Sequence, residues 1–155
     1  MKYPEYLISA KRHNKACRVL QDRIELYKEQ GIEDDNFKFL VLNLYYLSGY
    51  IVECSLKYKI YELFGYSINA EVDDAAECAK VGIDYFKQIR VHKFSRLQNL
   101  LDSRIGDFTH LSEIDSVGQL LREWHPNKRY GSFELAYQDV QEFYTHTNAF
   151  LRICG

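Results

Sequence analysis

Proline is nearly absent, with Pro4 and Pro126 the only two in 155 residues. So few breakers exclude an architecture of many short strands and leave long uninterrupted runs, as helices require. The eight glycines are scattered and form neither G-x-x-x-x-G-K nor G-x-G-x-x-G, which excludes a phosphate loop or a dinucleotide fingerprint. Cys17, Cys54, Cys78 and Cys154 contain no C-x-x-C, and His13, His92, His110, His125 and His146 contain no H-x-x-x-H. No metal site and no cofactor are therefore expected, and widely spaced cysteines fit a reduced, cytoplasmic setting. Neither sign of charge prevails: 20 Lys and Arg against 22 Asp and Glu give a net charge of -2. Binding to nucleic acid or anionic lipid would need a local patch. The start, MKYPEYLISAKRHNK, lacks an apolar signal region. The longest apolar stretch, about residues 39–56, is broken by Asn43, Ser48, Gly49 and Glu53, so neither a signal peptide nor a membrane span is expected.

What remains is the material of one helical domain, residues 1–155, with 46% hydrophobic and 27% charged residues and a single core. A helix is predicted from Ser9 to about Gln30, with Ala16, Val19, Leu20, Ile24, Leu26 and Tyr27 facing inward and Gly31 as its stop. A central helix follows from Phe37 to Phe64, capped by Asp35 or Asn36 and closed by Gly65. Its apolar positions cover most of its circumference, which predicts burial on most sides. Asp73 or Asp74 is expected to cap a short helix running to Gln88. Further helices are read in HKFSRLQNLLDS and LSEIDSVGQLLREW, and a last one from Ser132 to about Ile153 carries Phe133, Ala136, Tyr137, Val140, Phe143, Tyr144 and Phe150. The fold class is all-α, an up-and-down bundle of four to five helices.

Gly49 costs the central helix about 1 kcal/mol relative to alanine, so a second helix is expected to cross there closely. Glu53, one turn later, would then face a packed region where a carboxylate needs a cation or several donors. Two partners are open. Arg129, in the rigid aromatic segment REWHPNKRYGSF with Trp124 and Tyr130 packing the loop, can meet a carboxylate with two parallel bonds; substituting it by alanine would then orphan Glu53. Lys57 can pair at i,i+4 on a solvated face for only about 0.3 to 0.5 kcal/mol.

The pattern G-Y-x-x-E-x-x-L-K at Gly49, Tyr50, Glu53, Leu56 and Lys57, followed by VHKFSRLQNLL and then W-x-P-x-x-R-Y at Trp124, Pro126, Arg129 and Tyr130, resembles the HEPN domain family over about residues 36–151. The resemblance implies a four- or five-helix bundle, frequent homodimers, and either metal-independent RNA cleavage or non-catalytic binding of nucleotide or RNA, often beside a nucleotidyltransferase partner protein. It also implies a setting in prokaryotic defence or toxin-antitoxin systems.

Cleaving members of that family carry an arginine followed after four to six residues by a histidine, and here Arg104 and His110 have that spacing. A histidine can move the 2′-hydroxyl proton while an arginine stabilises the charge of the phosphorane. Ile105 after the arginine and the turn-forming Gly106-Asp107 depart from the family's pattern, and a surface loop is the plainer reading of the pair. Basic residues gather between Lys87 and Arg104, as Lys87, Arg90, Lys93, Arg96 and Arg104. His92, Lys93 and Arg96 are the expected binding residues, with His92 opening a helix and sharing a face with Arg96; the plainer readings are a histidine bonding its own helix backbone and a solvated basic face. Five tyrosines of the central helix, Tyr45, Tyr46, Tyr50, Tyr58 and Tyr61, ask for more cover than one small bundle offers, which a homodimer would supply. The expected function is a binding or regulatory component; the alternatives are an endoribonuclease using Arg104 and His110, and a protein-interaction adaptor.

Overall fold

The computed structural model describes residues 1–130 and 134–155, with the side chain of Arg129 outside that description. Among the described residues there is no strand. Six α-helices run in the order α1 (Pro4–Glu29), α2 (Asp35–Leu63), α3 (Ala75–Lys80), α4 (Phe94–Asp102), α5 (Asp115–Glu123) and α6 (Tyr137–Cys154). A π-helical turn, Tyr85–Ile89, precedes α4, and a 3-10 turn, Pro126–Tyr130, follows α5.

α1 begins at Pro4, five residues before the expected start, because proline's fixed φ suits the first helical turn. Its buried residues are Ala10, Asn14, Cys17 and Ile24. Of the residues predicted to face inward, Ile24 is buried and Leu20 and Tyr27 pack against the core, whereas Ala16 is exposed, as are Val19 (70%) and Leu26 (40%). Both long helices end as their glycines require. Gly31 and Gly65 each have φ +69°, and the Ile32 and Tyr66 amides reach back to the carbonyls of Tyr27 and Tyr61 at 2.9 and 3.0 Å. The cap of α2 is Asp34, whose carboxylate accepts from the Phe37 amide at 3.0 Å, rather than Asp35 or Asn36.

α2 is the axis of the bundle and packs against α1, α4 and α6. Every residue from Ile51 to Lys57 is buried, which means that the helix is enclosed all round over two turns. By length and composition α2 could cross a membrane, yet more than half of its most apolar window lies inside the bundle. Its tyrosines tie the layers together: Tyr45 Oη donates to the Leu120 carbonyl at 2.6 Å and Tyr61 Oη to that of Val72 at 2.7 Å. Tyr45 and Tyr61 are buried, Tyr50 meets Trp124 edge-on and Tyr58 lies against Tyr3. The bundle therefore covers internally much of what a second copy was expected to cover.

The connection from 66 to 91 contains less helix than expected. α3, capped by Asp74, ends at Lys80 in a turn through Gly82, and Val72, Cys78, Ile83 and Ile89 anchor the segment in the core. The expected start of the last helix at Ser132, and Phe133 of its stripe, lie outside the described residues; α6 is helical from Tyr137. Ala136 stands at its cap, exposed, while Tyr137, Val140, Phe143, Tyr144 and Phe150 are buried.

Candidate functional site

Gly49 and Glu53 do share a packed region, but the close neighbour of Gly49 is a side chain rather than a helix. A Cβ added there would lie 1.8 Å from Trp124 Nε1. That nitrogen donates to the Tyr46 carbonyl at 3.1 Å, and the indole stacks on Phe94 with centroids 5.0 Å apart and planes 13° apart. Trp124 thus ties the end of α5 to α2 and α4.

Glu53, one turn after Gly49 on α2, is buried as well. Lys57 Nζ donates to its Oε1 at 2.7 Å, with both side chains buried, 6% and 9% exposed. This is the i,i+4 pair, though not on a solvated face. The second partner is His92, whose Nδ1 lies 3.0 and 3.2 Å from the two carboxylate oxygens. A carboxylate only accepts, so Nδ1 carries a proton in this contact, on a half-exposed ring. His125 meets that ring edge-on at 5.8 Å. His92 therefore neither opens α4 nor bonds its backbone; it stands two residues before the helix. The proposed Arg129 partner falls outside the described side chains. Tyr130 is 76% exposed.

The basic cluster does not stay together: three of its five residues share one place. Lys87, Arg96 and Arg104 converge on a depression of about 510 Å³, together with Phe64, Gln88, Asn99 and Ser103. Among the described residues, no carboxylate lines it. Lys87 reaches Asp84 only at 3.9 Å, and the Arg104 guanidinium lies 4.4 Å from the centroid of the Phe64 ring. Arg96 and Arg104 enter no ion pair among the described residues. Lys93 lines a different depression on another face of α4, and His92 belongs to Glu53. The three expected binding residues are thus not one site.

Arg104 and His110 are separated as well. His110 is buried and lines the depression that holds Lys93, not the basic one. Its backbone N–H and its Nδ1 both meet Gln98 Oε1, at 3.0 and 2.8 Å. Burial, aided by nearby His146, pushes its pKa down to about 4. Within one chain, the two residues of the expected catalytic pair do not share a cleft.

Sequence reasoning missed the Glu53–His92 contact, which spans 39 positions, and the contribution of Phe64 to the basic depression; no local spacing signals either. Among the described residues, no group of three or more His, Cys, Asp or Glu side chains could hold a metal ion. These features define an all-helical bundle with a buried ion pair at its axis and a basic depression on its flank. Comparison with family models, with curated proteins and with solved structures found no match.

Proposed function

We propose that the chain is a HEPN-like, cytoplasmic binding or regulatory component of a prokaryotic defence or toxin-antitoxin system, and that it takes the phosphates of RNA or a nucleotide in the basic depression beside α4. The observation that carries this reading is the convergence of Lys87, Arg96 and Arg104 on one concave surface with no lining carboxylate among the described residues. Such a surface attracts phosphate locally despite the near-neutral whole, and Gln88 and Asn99 add neutral donors.

A homodimer, beside a nucleotidyltransferase partner protein, belongs to the same proposal. Ile8, Val19 and Leu26 are 47%, 70% and 40% exposed. They are separated by 11 and 18 residues from Ile8, near three and five whole turns at about 3.6 residues each, so they form one apolar line on the outside of α1.

The test is anisotropy of a labelled oligoribonucleotide across a salt series, with mass measured by light scattering. Three phosphate contacts give a slope of log K on log salt near about −2, and Arg96→Glu with Arg104→Glu removes most of it. Salt-independent binding, or none, would sink the proposal. Cleavage of that RNA in EDTA, lost in His110→Ala, would favour the endoribonuclease instead.

A further inference from the structure

The depression that holds Lys93 and His110 is built differently from the basic one. Its volume is about 440 Å³, and Phe94, Leu121 and Trp124 give it an apolar wall, enough for one substituted aromatic ring. Two buried polar side chains, Gln98 and His110, also line it. Gln98 Nε2 donates to Asp102 Oδ1 at 2.9 Å and to the Phe108 carbonyl at 2.6 Å, which uses both amide protons. Its Oε1 is therefore the atom facing His110. An oxygen acceptor 2.8 Å from Nδ1 places the imidazole proton there and leaves a lone pair on Nε2.

That Nε2 has no hydrogen-bond partner among the described residues, yet it is not sealed from solvent. A buried imidazole that lines the depression, is locked into one tautomer and keeps an acceptor free is an arrangement that packing alone does not require. Lys93 and Arg122 also line the depression, neither in an ion pair among the described residues, while the lining carboxylate of Asp102 is engaged by Gln98 Nε2. We propose that this depression binds a small planar molecule that gives a hydroxyl or N–H donor to His110 Nε2 and an anionic group to Lys93 or Arg122. The site is independent of the phosphate-binding reading, since it shares only Asn99 with the basic depression.

Trp124, the single tryptophan, lines the pocket and reports on it. Two probes separate the donor from the anion: 4-hydroxybenzoate carries both, benzoate only the anion. Titration of Trp124 emission is expected to show 4-hydroxybenzoate binding about three- to tenfold tighter than benzoate, the worth of one net hydrogen bond. In His110→Phe, which keeps an aromatic ring in place, that preference should vanish. Lys93→Ala together with Arg122→Ala, both exposed changes, should weaken both probes alike and keeps the test alive if His110→Phe does not fold. Equal affinities in the wild type, no response of Trp124 to either probe, a preference that survives in His110→Phe, or unchanged binding in the double variant of Lys93 and Arg122 would overturn the proposal.

Discussion

The indole of Trp124 occupies the volume that a side chain on Gly49 would take, with Nε1 only 1.8 Å from the position of a Cβ there. Replacing Gly49 by alanine gains about 1 kcal/mol of helix propensity but forces the indole off its stack with Phe94, an overpacking cost of about 1–3 kcal/mol. Gly49→Ala is expected to lower the melting temperature and to red-shift Trp124 emission. Unchanged emission with a higher melting temperature would mean that the indole is not held there.

The pair of Glu53 and Lys57 is buried, so removing one partner is expected to cost far more than a surface pair would. Glu53→Ala should lose about 3–5 kcal/mol in urea unfolding, because Lys57 is left charged without its carboxylate. The double variant Glu53→Leu with Lys57→Met should recover most of that loss. A loss in Glu53→Ala below about 1 kcal/mol would place the pair in solvent instead.

His110 gives stability a pH dependence whose sign follows from its environment. Burial and neighbouring His146 depress the folded-state value to about 4, while Asp102 opposes them weakly; the unfolded value is about 6.5. The unfolded chain therefore takes up the proton first as pH falls. Stability is complete above pH about 6.5 and declines toward pH about 4, by about 3 kcal/mol in all. Half-buried His13 is shifted in the same direction, chiefly by its own desolvation. Thermal melts across this range should fall steeply for the wild type and less so for His110→Asn; parallel curves would rule the imidazole out as the source.

All four cysteines are free and buried. Burial pushes the thiols of Cys17, Cys54 and Cys154 up to about 11, 12 and 12, so little thiolate forms near neutrality. A thiol reagent should label the native protein slowly and all four positions at once on unfolding in guanidinium. Rapid labelling of the native state would show that one of them is open to solvent.

Much of the helical frame was legible in the sequence. Few prolines, apolar residues at three- and four-residue spacing, and glycines after α1 and α2 determined that long helices form and where those two stop, because these are local properties of a chain of L-residues. The all-round apolar pattern of α2 likewise announced its burial, and Gly49 announced a close neighbour. Local pattern could not choose the whole face of α1, since Val19 and Leu26 satisfy helical spacing as well as the buried Ala10 and Cys17 do; only packing against α2 chose between them. Nor could spacing tell that Glu53 meets His92, or that Arg104 and His110, six positions apart, line different depressions. Such pairings depend on where helices cross and chains turn back, and only the tertiary structure brings together residues far apart in the chain.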